Sequence, residues 1–299
     1  MTAKTSSLRL ANLPAVRIYR ATAIADQPQL LPSLAGTALH GALSDTLAER
    51  GSNLLTAPDR RLPGLGITGR PPAPLVLAPA RFSPDGRPIE LASGEPIAFR
   101  IATIGERAAG QGDELAQAVQ AAFARGLGMH PGARSSRPRP SLRLARWDEV
   151  MVEAARPREL APKSCRMTLL TPLRLQTEGR ITSFPDGAAL RDAVVRRADT
   201  LAQIYGGGAL FRSPPAALPA LELEDALLRV TNVGRYSRRQ GRRMRWPGLV
   251  GELILGGPGL TLLWPLLRFC EQVQLGKATA FGFGSFRLEP LVTTRSFGA

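Results

Sequence analysis

Apolar and polar residues in the first half of the chain alternate in some segments and recur at helical spacing in others. The elements that this pattern predicts are a strand at 15–25, a helix from about 34 to 50, an extended segment near 74–81, a strand at 97–104, a helix from about 112 to 127 and a strand at 141–153. This β-α-β-β-α-β order is typical of a ferredoxin-like domain, in which two helices pack on one face of an antiparallel sheet.

The second half of the chain repeats the same order. Its predicted elements are a strand at 165–176, a helix at 187–205, strands near 221–230 and 248–255, a helix at 260–275 and a final strand at 280–291. Asp186 supplies a negative charge where the first of these helices begins, and Gly206 follows its end. We therefore expect an α+β chain of tandem ferredoxin-like (RRM-like) domains, residues 1–157 and 158–299, with the boundary in the proline-bearing link 155–163.

The charge of the chain changes this picture, because 39 basic residues face only 24 acidic ones and the net charge is +15. A GC-rich genome would raise the arginine content, but it does not explain why arginines cluster. One cluster contains Arg235, Arg238, Arg239, Arg242, Arg243 and Arg245, and the other contains Arg134, Arg137, Arg139, Arg143 and Arg146. Such dense charge repels itself unless phosphates neutralise it, which favours a nucleic acid as the partner.

Neither a membrane nor a metal site is indicated. The longest apolar run, near 260–267, contains Pro265 and is too short to cross a bilayer. Residues 1–7 lack the apolar core of a signal peptide, so we expect a cytoplasmic protein. Cys165 and Cys270 have no second cysteine or paired histidine nearby, so neither zinc spacing nor a disulfide framework is supported.

A glycine-rich segment, 275–286, carries Lys277 and three phenylalanines. Glycines at this spacing allow the main chain to approach a phosphate closely, and the main chain of 282–284 could donate to it. Phe281 or Phe283 could stack on a base, whereas strand alternation makes Phe286 the phenylalanine that faces inward. The alternative is a tight turn between a helix and a strand.

Three ordered blocks near the end of the chain carry a family resemblance. They are GRYSRRQGRRMRWPGLVGE at 234–252, LLWPLLR at 262–268 and LGKATAFGFG at 275–284, with weaker echoes in GTALHGAL at 36–43, PPAPLVLAP at 71–79 and ITSFPD at 181–186. This arrangement closely resembles the CRISPR-associated RAMP-superfamily endoribonucleases that process precursor crRNA. Relatives often carry a cysteine-bearing insert after the first helix, but 52–69 has no cysteine. The first domain therefore resembles a divergent, type IV-like branch. Relatives of that branch have arginines in a helical finger around the RNA, so the resemblance implies an arginine-rich helical or loop insertion at 235–245, in the second domain.

The resemblance implies metal-independent and cofactor-independent cleavage of CRISPR repeat RNA at a hairpin. The ribose 2′-OH attacks the adjacent phosphate and leaves a 2′,3′-cyclic phosphate and a 5′-OH. This chemistry needs in-line geometry, proton transfer and cationic support for the developing charge. Retention of the crRNA handle and association with other CRISPR effector subunits are further implications.

His40 is the best acid/base candidate, because histidine has the unperturbed pKa nearest neutrality and its place in the first helix matches several relatives. Arg242 and Tyr236 complete the predicted catalytic group. Tyr19 and Tyr236 could each orient the attacking hydroxyl or could equally be packing residues, and His130 is a weaker candidate than His40. The predicted RNA-binding residues are Arg235, Arg238, Arg239, Arg243, Arg245, Lys277, Gly282, Phe283, Gly284, Arg137 and Arg139.

Two other functions fit the same sequence. A non-catalytic crRNA-binding subunit of an effector complex would bind tightly without cutting. A general nucleic-acid binder would show a steep salt dependence and no preference for one hairpin, because phosphate contacts carry no sequence information.

Overall fold

The structure is a computed structural model that describes residues 8–56, 71–129, 139–151, 160–177, 180–211, 218–237 and 242–291. At 235–237 and 242–243 it describes the main chain only. The predicted residues His130, Arg137, Arg238 and Arg239 lie outside these ranges.

The first domain has the topology predicted from the sequence. After a short 3-10 helix (Leu10–Asn12), its elements are β1 (Val16–Ala25), β2 (Gln29–Leu31), α1 (Gly36–Glu49), β3 (Leu75–Pro79), β4 (Ile89–Leu91), β5 (Pro96–Ile104), α2 (Glu106–Ala109), α3 (Gly112–Ala124) and β6 (Leu142–Val150). The main sheet has the order β3-β5-β1-β6, and its neighbouring strands are antiparallel. The small pair of β2 and β4 was not predicted.

The second domain repeats this topology. Its elements are β7 (Ser164–Leu173), β8 (Gln176–Thr177), β9 (Arg180–Ile181), α4 (Gly187–Tyr205), β10 (Glu222–Ser237), β11 (Arg242–Gly256), α5 (Gly257–Val273), a 3-10 helix (Thr279–Phe281) and β12 (Phe286–Leu291). The sheet order β10-β11-β7-β12 corresponds strand for strand to the first sheet. The predicted boundary at 157/158 lies outside the described residues and stays a prediction.

Two predictions for the second domain are wrong. The final strand begins at Phe286 rather than at 280, because 279–281 form the 3-10 helix. The arginine-rich segment is not helical in its described part, since β10 continues to Ser237 and β11 already begins at Arg242. Main-chain pairing extends to Ser237 opposite Arg242, so Arg235, Arg242, Arg243 and Arg245 lie on the two strands of a long antiparallel hairpin.

The first sheet is covered on both faces. On one face, Tyr19, Phe99 and Ile101 belong to a core with α1 and α3. On the other face, Ile18 and Ala102 belong to the core that contains α4, α5 and the second sheet. Because side chains alternate across a strand, the helices of the second domain complete the core on the far side of the first sheet. The two domains therefore share a hydrophobic core.

Two arginines, Arg197 buried and Arg100 half-buried, reinforce this contact at the end of α5. Arg197 on α4 donates to the carbonyl oxygens of Val273 (2.7 Å) and Gln274 (3.2 Å). Arg100, on β5 of the first domain, donates to the carbonyl of Gln272 at 2.8 Å. Burial lowers the pKa of each guanidinium to about 10. Both cations thus satisfy carbonyl groups that a helix end leaves without intrahelical partners.

The predicted start of α4 is confirmed in detail. The Asp186 side chain accepts a hydrogen bond from the Ala189 N–H at 2.7 Å, and the helix begins at Gly187. Leu190, Val194 and Leu201 form part of its buried face, as expected from their spacing. Within the described parts of the chain, no helix is both long enough and apolar enough to span a membrane.

Candidate active site between the two domains

The glycine-rich loop, 275–286, uses its main-chain donors for its own fold. The Gly282 N–H donates to Thr279, the Phe283 N–H to Ala278 and the Gly284 N–H to the Pro172 carbonyl. Phe283 is fully buried. RNA contact by Gly282, Phe283 and Gly284 stays a prediction, and it would require these main-chain hydrogen bonds or the burial of Phe283 to change.

The loop instead fastens the second domain to the first. Immediately before the loop, the Gln274 side chain donates to the Leu77 carbonyl of β3 at 2.6 Å. A Cβ atom added to Gly36, at the start of α1, would lie 2.8 Å from the Phe281 carbonyl oxygen. Gly284 has φ of 76°, and a Cβ atom added there would clash with the Leu275 carbonyl oxygen, so a side chain is excluded. The glycines permit close packing of main chain on main chain.

His40 projects from α1 toward this loop. Its ring stacks on Phe281 with 3.8 Å between ring centroids and 29° between planes. The Ser44 hydroxyl, one turn later on α1, lies 3.4 Å from His40 Nδ1 and donates to the His40 carbonyl at 2.7 Å. The structure thus places the predicted acid/base residue at the contact between the domains, half-buried and held by groups from both.

A group of aromatic rings continues from His40 into the second domain. Trp246 on β11 meets Phe281 edge-on at 5.3 Å and lies 5.7 Å from Phe283. We call His40, Phe281, Phe283 and Trp246 the aromatic cluster. It packs with the buried side chains of Leu34 and Val233.

Arg174 joins the aromatic cluster and was not predicted from the sequence. Its guanidinium lies 5.1 Å from the Trp246 ring centroid and 5.6 Å from that of Phe283, and its Nε donates to the Pro247 carbonyl. Burial lowers the pKa of Arg174. The sequence offers one weak indication of a role for Arg174, which is its position at the end of the first strand of the second domain. Arg174 brings a fixed cation to the aromatic cluster.

The arginine-rich hairpin begins at the aromatic cluster. Val233 pairs with Trp246 across the two strands, and the ladder continues through Tyr236 opposite Arg243. Trp246 and Arg242 are four residue steps apart along the strand, or about 13 Å at 3.3 Å per step. Arg245 is exposed. The catalytic roles of Tyr236 and Arg242, and RNA contact by Arg235, Arg243 and Arg245, stay predictions.

The remaining candidates lie in different surroundings. Tyr19 is buried, stacks on Trp147 at 4.9 Å and has its pKa raised by burial, so its suggested role in orienting a hydroxyl is wrong. Arg139 lines a cavity with Asp45, Glu49 and Arg125, away from the aromatic cluster's side of α1. Lys277 is exposed on the glycine-rich loop and keeps its predicted role.

Cys165 and Cys270 are free and buried. Among the residues that the structure describes, no group of three or more His, Cys, Asp or Glu side chains is placed to hold a metal ion.

Comparison with known proteins agrees with this architecture. Residues 167–286 match the family model of the CRISPR-associated endoribonuclease Cas6. No curated protein matches the chain significantly by sequence. A Cas6 of Thermus thermophilus, solved as a product complex, is 19% identical, with a TM-score of 0.60 over 93% of this chain and 100% of that one.

Two further structures share the fold. A RAMP protein described as binding different RNA substrates is 14% identical, with a TM-score of 0.53 over 91% of this chain and 99% of that one. A chain of a partial Cas6-RT-Cas1–Cas2 complex is 11% identical, with a TM-score of 0.58 over 94% of this chain and 47% of that one. The resemblance seen in the sequence is thereby confirmed: residues 167–286 carry the signature of the CRISPR-associated Cas6 endoribonucleases, and the chain shares the fold of solved Cas6 structures along its length.

Proposed function

We propose that this protein cleaves CRISPR precursor RNA at repeat hairpins without a metal ion and retains the hairpin handle of its product. The observation that carries the proposal is the position of His40, a proton-transfer group held between the domains beside the root of an arginine-rich hairpin. Phosphoryl transfer to an internal nucleophile needs a proton-transfer group and positively charged groups close to the same phosphate.

In this mechanism the imidazole of His40 takes the proton of the ribose 2′-OH upstream of the cut. The 2′-oxygen attacks the adjacent phosphorus in line, and the bond from phosphorus to the 5′-oxygen breaks. A proton then passes to that leaving oxygen, so the products are a 2′,3′-cyclic phosphate and a 5′-OH. Arginines supply the positive charge that the pentacoordinate phosphate requires, and Arg242 is the proposed residue on the hairpin.

The basic surface around the aromatic cluster explains the proposed affinity for a hairpin. Arg245 and Lys277 are exposed, and Arg174 is fixed against Trp246. Arginine side chains bind phosphates in a bidentate manner, so a duplex bound here would be held by many charge-assisted hydrogen bonds. Retention of the product handle would then allow the protein to join other CRISPR subunits in the cytoplasm. The fold shared with a Cas6-RT-Cas1–Cas2 chain supports partners of this class.

A cleavage assay in EDTA tests the proposal. A labelled repeat RNA incubated with excess protein should yield a 2′,3′-cyclic phosphate end, and a deoxy substitution at the ribose upstream of the cut should abolish the product. His40→Ala should lower the single-turnover rate by at least about 100-fold, the lower range for general acid–base catalysis. His130→Ala, assayed beside it, determines which of the two histidines transfers the proton.

Three results would contradict the proposal. Cleavage only after magnesium is added would refute the metal-independent mechanism. Tight binding of one hairpin without any cleavage would indicate the non-catalytic crRNA-binding subunit. Binding that falls steeply with salt and does not discriminate between hairpins would indicate a general nucleic-acid binder.

A further inference from the structure

We infer that Phe281 of the second domain and Ser44 of α1 are positioning residues that hold the His40 imidazole in the orientation used for proton transfer. The inference rests on the proposed function of His40. It assigns the glycine-rich loop a task in catalysis that does not involve a phosphate, because the loop presents one face of a phenylalanine to the imidazole.

The first observation is the geometry of the two rings. Among the described ring pairs, His40 and Phe281 have the shortest centroid distance, 3.8 Å, and their planes are nearly parallel at 29°. A ring stacked on a flat face keeps little freedom to rotate about its side-chain bonds. Phe281 is supported in turn by the edge of Trp246 at 5.3 Å, with 82° between the planes.

The second observation is that Phe281 cannot easily leave this position. Its N–H donates to the Ala278 carbonyl, and the next residue, Gly282, has φ of 96° and donates to Thr279. The Phe281 carbonyl lies against Gly36, at the start of the helix that carries His40. The loop is thus held by its own hydrogen bonds and packs against α1 at Gly36, four residues before His40. This contact fixes the position of the Phe281 ring relative to the His40 ring.

The third observation concerns the hydrogen atoms of the imidazole. The Ser44 hydroxyl donates its hydrogen to the His40 carbonyl at 2.7 Å, so its oxygen can only accept from the ring. The 3.4 Å separation of Ser44 Oγ and His40 Nδ1 is then a long Nδ1–H to oxygen contact. A hydrogen on Nδ1 leaves Nε2 as the nitrogen that can take a proton from the ribose. Phe281 sets the plane of the ring, and Ser44 favours one tautomer.

Phe281→Leu removes the flat face and keeps an apolar side chain. We expect the single-turnover cleavage rate to fall about tenfold to hundredfold, the range for misplacing a catalytic group by up to 1 Å. The dissociation constant for the uncleaved deoxy RNA should change less than about twofold, because the ring touches the imidazole rather than the phosphates. Phe281→Tyr should restore most of the rate. Ser44→Ala should have a smaller effect, since the Oγ to Nδ1 contact is long.

Phe82→Leu is the matched control, because Phe82 packs on the same small core as Phe281. It should keep the wild-type rate, which separates loss of packing from loss of stacking. A double-mutant cycle adds a test of mechanism: Phe281→Leu should not slow the residual cleavage of His40→Ala further, since both changes act through one imidazole. Equal effects of Phe82→Leu and Phe281→Leu, or full additivity with His40→Ala, would refute the inference.

An NMR measurement provides a readout independent of cleavage. The chain has two histidines, so His40→Ala assigns the ring signals of His40. Phe281→Leu should remove the ring-current shift of the His40 ring protons, and the ring ¹⁵N shifts should show hydrogen on Nδ1 in the wild type and a mixed population in Ser44→Ala. A wild-type cleavage rate for His40→Ala would refute the proposed catalytic role and this inference together. A wild-type rate for Phe281→Leu beside an impaired His40→Ala would refute only the inference.

Discussion

Replacing Gly36 by alanine tests whether the contact between α1 and the glycine-rich loop sets the geometry of the site. The added Cβ would lie 2.8 Å from the Phe281 carbonyl oxygen and 3.1 Å from Gly282 Cα. Ordinary contacts begin at 3.4 Å, so the helix and the loop must separate by about 0.6 Å. The groups in the way are main-chain atoms of a hydrogen-bonded turn, which cannot move aside as a flexible side chain would.

Two effects of Gly36→Ala follow from this displacement. Overpacking of a close contact costs about 1–3 kcal/mol of unfolding free energy. Because a displacement of about 1 Å can cost about 100-fold in rate, we expect cleavage to slow by roughly tenfold when His40 and Phe281 separate. The two effects share one cause, so they should appear together.

Gly41→Ala is the matched control on the same helix. In the part of the chain that the structure describes, a Cβ at Gly41 meets no atom within 4 Å outside its own helix backbone, so the substitution should stabilise the protein by about 0.5–1 kcal/mol through helix propensity. Urea unfolding and single-turnover cleavage of the repeat RNA, measured for both variants, distinguish them. If Gly36→Ala matched Gly41→Ala in unfolding free energy and in rate, the contact would not determine the site, and the reasoning would be refuted.

Two further predictions concern the shared core. Arg197→Met should lower the unfolding free energy in urea by about 2–4 kcal/mol, because the carbonyls of Val273 and Gln274 lose the donor that Arg197 provides. Arg196→Met, at the exposed neighbouring position, should change the unfolding free energy by less than about 0.5 kcal/mol. Equal effects of the two substitutions would contradict the role assigned to Arg197. Burial raises the pKa of Cys165 and Cys270 to about 12 from an ordinary value of 9.0, so a thiol reagent at pH 8 should modify them only on unfolding. Since the pKa of each thiol is higher in the folded state than in the unfolded state, the thiols' contribution to stability should be complete below pH 9 and should decline as the pH rises toward 12. Rapid labelling of the native protein would contradict this prediction, because it would show that the thiols are accessible.

The order of elements could be predicted from the sequence because hydrophobic periodicity is a local property. The predicted helix at 187–205 matches α4 at both ends, because Asp186 caps its first turn and Gly206 follows its last residue. Such capping signals act within a few residues and can therefore be read from the sequence. For the arginine segment, a helical or loop insertion is only what the family resemblance implies. Pairing with the opposite strand, which is not local, makes its described part β-structure.

The candidate site likewise combines features that are local in the sequence with features that depend on tertiary contacts. His40 could be found from its residue type and its place in the first helix. Its partner Phe281 could not, since 241 positions separate them and only the docking of the two domains brings their rings together. Arg174 carried no distinguishing pattern, because a guanidinium becomes a fixed cation only through the rings that pack on it.

The sequence by itself determined two ferredoxin-like units, a strongly basic character and a glycine-rich loop next to the last strand. Tertiary structure decided what the loop does. Glycine allows close approach to any group, so the same residues serve equally well to surround a phosphate or to press one domain against another. Which occurs depends on where the N–H groups point, and here they point to carbonyls of the protein itself, while Gly36 of the first domain occupies the space in front of Phe281.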